Sequence, residues 1–243
     1  GRIAKQLYQS ANIAIRGFEE TDFPDSFFDL AIGNVPFGNY GVADKRYDKN
    51  SFLVHDYFFA KALDKVRPGG IVTFITSSGT MDKKNPQVRK YLAQRAELLG
   101  AVRLPNNAFL ANAGTNVVTD ILFLQKRDRP IEVEPDWVQL GQTGDGFAIN
   151  QFFVDNPDMI LGELTTESTQ YGKQECTVRP IEGADLADQL HDALSGFHAE
   201  LTGFTPIVDL EEADSDSIPA DPNVRNFSFT IIGKMISGEV SWR

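Results

Sequence analysis

The sequence predicts an α/β fold with a mostly parallel sheet across its first 130 residues. Three observations carry that prediction. Short apolar runs alternate with segments of helical spacing, and the runs end in Gly, Asn or Pro, as buried strands do. The chain is 42% apolar and 11% aromatic, enough for a real core.

The elements follow in order. Residues 11–18, ANIAIRGF, alternate apolar and polar side chains and read as a strand. Residues 27–34, FFDLAIGN, are a short apolar run closing on Gly and Asn. Residues 50–66 place Phe52, Phe59, Leu63 and Val66 near helical spacing. Asn50 or Ser51 caps that helix, and Pro68-Gly69-Gly70 ends it. Residues 70–78, GIVTFITSS, form the next strand. Residues 85–98 form a helix with Asn85 at its cap and Pro86 in its first turn. Residues 99–105 and 117–126 are two more strands. Beyond residue 130 the signals shorten to β-like pieces, IEVE and FAINQFFVD, and an amphipathic helix within 183–201.

Composition excludes several classes. One cysteine excludes a disulfide scaffold and a cysteine-based zinc site. His191 and His198 have no acidic or cysteine partner at ligand spacing, so no metal is expected. No run of 18 apolar residues occurs and no signal-peptide core opens the chain, so a cytoplasmic protein without a membrane partner is expected. The net charge of −11 argues against a nucleic-acid binder taken whole, but it is unevenly spread. Residues 1–130 hold 18 Lys and Arg against 13 Asp and Glu, a net of +5. Residues 131–243 hold the remaining 5 and 21, a net of −16. The expected organisation is a basic domain over 1–130, an acidic α+β extension over 131–205, an acidic linker over 206–226 and a short hairpin-like tail over 227–243. The alternative is a solvated acidic tail on an ordinary domain.

The stretch that carries chemistry is Asn34-Val35-Pro36-Phe37-Gly38, delivered by a buried strand. In an open α/β sheet, ligands bind at the carboxyl ends of strands. The Asn34 side-chain oxygen and a nearby backbone carbonyl can accept both hydrogens of an exocyclic amine. That frees the nitrogen lone pair from the ring and makes the amine nucleophilic without a strong base. Phe37 can stack on a flat heterocycle, and Pro36 rigidifies the turn. The plain alternative is a strand-to-loop turn built of ordinary turn residues.

FDLAIGNVPFG resembles the Asn-Pro-Pro-Tyr/Phe motif of S-adenosylmethionine-dependent amino methyltransferases, above all adenine-N6 DNA methyltransferases, which act on a flipped base. EETDF at 19–23 resembles the family segment in which an Asp accepts from the cofactor's adenine amine and the next aromatic packs on its ring. The resemblance therefore implies cofactor roles for Asp22 and Phe23. HDYFFAKALDKVRPGGIVTFITSSG resembles the helix, turn and fifth strand of that domain, and LLGAVRLPNNAF with AGTNVVTDILFLQKR its closing antiparallel pair. Within the family, the likeness is to methylase modules beside helicase domains in large proteins of mobile elements, and to type I modification subunits.

The implied fold is a Rossmann-like class I methyltransferase sheet of order 3-2-1-4-5-7-6, and the implied partner is DNA. Catalytic roles fall to Asn34, Pro36 and Phe37. Substrate contacts fall to Phe109, as an aromatic against the flipped base, and to Lys45, Arg46 and Tyr47 in the loop after the motif, with Tyr40 interleaved. His55 reads as structural. Two departures stand out: Val35 replaces the first Pro, and no G-x-G turn precedes the motif. The expectation is a chain beginning inside the domain, without strands 1 and 2. It would bind S-adenosylmethionine weakly or not at all and self-associate through an open sheet edge. Methylation of protein glutamine or RNA, and a non-enzymatic DNA-recognition or scaffold module, remain the alternatives.

Overall fold

A computed structural model describes residues 1–168 and 174–200. Its helices and strands run in the order α1 Arg2–Leu7, β1 Phe28–Asn34, α2 Val54–Lys65, β2 Val66–Ser77, α3 Gly79–Asp82, α4 Gln87–Arg95, β3 Ala96–Leu104, α5 Leu110–Ala113 and β4 Thr119–Lys126. Two hairpins and two helices follow: β5 Leu140–Gln142, β6 Ala148–Asn150, α6 Gln151–Asp155, β7 Glu163–Ser168, β8 Gln174–Arg179 and α7 Leu186–Ser195. The linker and tail expected over 206–243 lie outside the described residues.

The main sheet has the order β1-β2-β4-β3. That is the order the resemblance implies for its last four strands, 4-5-7-6. Three of its four strands run the same way: β1 pairs with β2 in parallel, and β4 alone is reversed, lying antiparallel between β2 and β3. The β1–α2–β2 and β2–α3–α4–β3 connections both carry helices and keep these three strands parallel, whereas β4 returns against β3.

Residues 11–18 are not a strand. Alternation makes a strand only where a neighbour takes its backbone hydrogen bonds. Among the described residues no strand lies beside this segment, and Ile15 is 57% exposed.

The α2 helix begins later than its sequence signal, because Asn50 closes a 3-10 turn and Ser51 adopts φ 51°. Its inward face puts Phe59, Ala62 and Leu63 almost fully out of water, with Phe59 against Phe74 of β2 at 5.1 Å between ring centres. Phe59 and Leu63 each contribute about 1.5–3 kcal/mol by burial, Ala62 less. The helix gives way directly to β2 at Val66. Pro68-Gly69-Gly70 does not end the helix; it forms an irregularity inside β2, where the partners of Phe28 and Leu30 jump from Val66 to Ile71. Gly69 takes φ 73°, and a Cβ on Gly70 would meet Val66 Cγ1 at 2.4 Å and the Asp29 carbonyl at 2.7 Å. Glycine is required there by close approach. Before α4, the Asn85 side chain accepts from the Gln87 N–H (2.9 Å), as its sequence position foretells.

The two sheet faces differ. Ala31, Gly33, Val72, Phe74, Leu122 and Ala101 face α2 and α4, and the same core takes in Trp137, Val138, Ile149 and Phe153. The segment after residue 130 thus packs on this sheet within one compact unit, Gly1–Thr202. IEVE is not a strand, and FAINQFFVD divides into β6 and α6. On the opposite face, Leu190, Leu194 and Phe197 cover Val102, Ile121 and Phe123. The Phe197 ring lies on Gly100, where a Cβ would approach it to 2.3 Å. That cover stops short of β1, and Leu30 and Ile32 remain 52% and 72% exposed.

Candidate active site

Asn34 ends β1, in register with Ile75 of β2. The β1–β2 alternation puts it on the same face as Leu30 and Ile32, exposed. Val35 then turns inward and is 4% exposed within the core. Its N–H donates to the Ile75 carbonyl at 3.1 Å, so Val35 extends the strand ladder by one bond that a proline could not make. Pro36 is exposed, and Phe37 is half-buried against the core. The departure at position two therefore leaves Asn34 and Pro36 accessible and anchors the turn between them.

A groove of about 390 Å³ follows β1 on its outer side, walled by Phe18, Phe23, Phe28 and Phe58 and reaching Asn34 and Val35. Phe23 stands edge-on to Phe28 at 5.1 Å, and its carbonyl accepts from Lys65 Nζ at 2.6 Å. Asp22 beside it is exposed. Phe23 and Asn34 thus border one groove from opposite ends: Phe28 and Asn34 are six residues apart, about 20 Å along an extended strand.

The loop after the motif does not stay near it. Val54 N–H donates to the Tyr40 carbonyl, the Tyr57 hydroxyl reaches Asp44, and Arg46 reaches Asp64 at 2.9 Å. The loop therefore runs down α2, and Asp64 lies ten residues past Val54, about 15 Å along a helix axis. Tyr47 is 4% exposed, with its hydroxyl donating to Asp64 at 2.6 Å. Burial and that carboxylate both push the phenol above its ordinary range. Tyr47 is a core residue, and the expectation that it stacks on a base is corrected: its aromatic surface is spent on Tyr57 and its hydroxyl on Asp64. Arg46 is bound to Asp25 (2.7 Å) and Asp64, and its hydrogen bond, offset in part by burial, holds Asp25 down to about 2. Lys45 is exposed. Phe109 precedes α5 and is half-buried in the cluster that contains Ile75, the register partner of Asn34.

A polar network at the carboxyl end of the sheet has no counterpart in the sequence reading. Arg103, 1% exposed, donates to both oxygens of the fully buried Asp120 (2.8 and 2.9 Å) and to Asp82 (2.8 Å), with its guanidinium over the Phe153 ring at 4.3 Å. Burial opposes its charge, but the two carboxylates outweigh that and keep it firmly protonated. Asn150 is fully buried and donates to the Met81 and Trp137 carbonyls, while its own N–H donates to Asp82. These bonds tie the loop after β2 to the segment following residue 130. The sequence signal was a charge inside each of two apolar strands, Arg103 and Asp120. His55, in the first turn of α2, is 4% exposed, and neither ring nitrogen has a hydrogen-bond partner among the described residues. Burial lowers its pKa, so it is neutral.

Residues 8–144 match the model of the N-6 DNA Methylase family. The chain belongs to that family. It is 36% identical over 132 residues to the defense against restriction protein B of Escherichia phage P1, which is 52% of this chain and 6% of that protein. The methylase-family chain thus spans a small part of the length of its curated relative. Among solved structures it is similar to a class I S-adenosylmethionine-dependent methyltransferase from Listeria monocytogenes, 21% identical with a TM-score of 0.35 over 51% of this chain and 36% of that one. It is also similar to a modification subunit of a type I restriction enzyme from Vibrio vulnificus YJ016, 17% identical with a TM-score of 0.35 over 63% and 37%. No helix among the described residues is long and apolar enough to cross a membrane.

Proposed function

We propose that this chain carries the amine-activating motif of an S-adenosylmethionine-dependent adenine-N6 DNA methyltransferase. The observation that carries the reading is the exposure of Asn34 and Pro36 at the carboxyl end of β1, on either side of an anchored Val35. Asn34 Oδ1 and the Pro36 carbonyl accept the two amine hydrogens of a flipped adenine, and Phe37 stacks against the ring. Accepting both hydrogens localises the lone pair on nitrogen, so positioning and electrostatics replace covalent catalysis. The amine loses its proton only after transfer, so His55, buried and neutral, is not required as a base.

S-adenosylmethionine, when bound, supplies the electrophilic methyl group. The aromatic walls of the β1 groove suit its adenine ring, with Phe23 packing on that ring and Asp22 accepting from its amine. Phe109 would face the flipped base from the Ile75 cluster, and Lys45 would meet phosphate. The domain division near residue 130 is part of the same proposal, with residues 131–200 acting as a brace on the carboxyl end of the sheet through Asn150. The outer edge of β1, paired with β2 alone among the described residues, would accept another strand, from a second copy in the case of self-association.

The test is N6-methyladenine formation on unmethylated DNA by the full-length protein. Asn34→Ala should lower the rate by about 10²–10³ if Asn34 accepts the amine hydrogens. A well-folded full-length protein that leaves adenine unmethylated would favour a recognition or scaffold module instead.

A further inference from the structure

At the amino end of the sheet, away from Asn34, the 46–50 loop and α4 enclose a cleft of about 440 Å³. Four cations border it, Arg46, Lys49, Lys90 and Arg95, against one carboxylate, Asp64. That carboxylate is already engaged by the Tyr47 hydroxyl and by Arg46. Lys49 has no ion pair among the described residues. Among the described residues Lys90 pairs only with Glu134, at 3.0 Å with both side chains more than 40% exposed, a contact worth little in water. The Arg95 guanidinium lies 3.6 Å from the centre of the Tyr91 ring, forming a flat platform at the cleft wall. Asn50, Gln87 and Gln94 add carboxamide donors and acceptors.

The cleft does not stand by itself. Through Asp64 and Arg95 it meets a second of about 200 Å³, which meets a third of about 460 Å³ through Lys126, Arg127 and Asp128, and Arg129, Glu97 and Glu200 border the last. One phosphate would need one such group of cations. A row of joined clefts with a stacking platform at one end suits a chain of phosphates with bases between them.

We infer that this trough is a second nucleic-acid site, holding the phosphodiester backbone of a single strand at the end of the sheet opposite the amine-activating motif. Lys49 and Lys90 contact phosphates, and the Arg95–Tyr91 pair takes a base. The shared chemistry is a phosphate ester, and a free nucleotide could offer it too. The inference stands apart from methyl transfer, which is read by product formation at Asn34, so either reading can fail without the other.

Fluorescence anisotropy of a labelled oligothymidylate with the purified chain tests it, with the matching duplex and dTMP as competitors. The strand should bind with a strong salt dependence. Lys49→Ala/Lys90→Ala, at an exposed and a half-buried position, should weaken binding at least tenfold and reduce the slope of log K against log salt by about 1.4, two single-strand phosphates' worth. Lys84→Ala, in the loop after α3 at the motif end, should leave it unchanged. dTMP should compete only at far higher concentration than the strand. Absence of strand binding, wild-type affinity in the double variant, or equal weakening by Lys84→Ala would overturn the inference. Displacement by dTMP at the strand's own concentration would make this a mononucleotide site and overturn it as well. Stronger binding of the duplex than of the strand would do the same.

Discussion

Replacing Asp120 with Ala probes the buried network at the carboxyl end of the sheet. The change deletes both hydrogen bonds from the Arg103 guanidinium to Asp120 and leaves it with Asp82 at 2.8 Å. Removing one partner of a fully buried ion pair costs about 3–5 kcal/mol, because the other charge stays out of water. Asp82 remains, and its side chain is 24% exposed, so the expected loss lies at the lower end, about 3 kcal/mol. For a unit of this size each kcal/mol moves the midpoint by about 2–4 °C, which gives a fall of about 6–12 °C. Thermal and urea unfolding followed by circular dichroism would measure it. A companion double change, Arg103→Met/Asp120→Leu, replaces the pair by apolar groups and should come within about 1 kcal/mol of the wild type. A loss below about 1 kcal/mol in Asp120→Ala, or a double variant as unstable as the single one, would refute the view that the unpaired buried charge sets the cost.

Three further outcomes are expected. Val35→Pro removes the N–H that donates to the Ile75 carbonyl and should cost about 1–3 kcal/mol in urea unfolding, and under the proposed function it should spare methyl transfer by the full-length protein, because Asn34 and Pro36 are untouched. His55 is held neutral by burial, so its pKa in the folded chain lies below the unfolded value. The unfolded chain then binds the extra proton first, and the contribution of His55 is complete above about pH 6.5 and is lost as pH falls below it. Urea midpoints taken at acid and neutral pH should therefore differ less in His55→Gln than in the wild type. Gly70→Ala puts a methyl within 2.4 Å of Val66 and 2.7 Å of the Asp29 carbonyl. It should cost at least about 1–3 kcal/mol, and an unchanged urea midpoint would remove the close-approach explanation of that glycine.

The sequence by itself determined most of the sheet and the motif. The apolar runs that became β1, β2, β3 and β4 are short, bounded by turn residues and separated by helical spacing, and periodicity is a local property that survives into the fold. Asn34, Val35, Pro36 and Phe37 were legible for the same reason: a strand end followed by a rigid turn is written in consecutive residues. Tertiary structure decided the rest. Residues 11–18 alternate like a strand, but pairing is a property of two segments, and no strand lies beside them among the described residues. Tyr47 looked like a free ring in a basic loop until that loop was laid along α2, where Asp64 takes its hydroxyl. Arg103 and Asp120 are 17 residues apart in sequence and directly opposite each other in the β3–β4 register. Each alone is a charge in an apolar strand, and only their meeting, with Asp82 and Asn150 beside them, makes their burial tolerable. Contacts of that kind depend on long-range register and on desolvation shared by several segments, which no window along the chain contains.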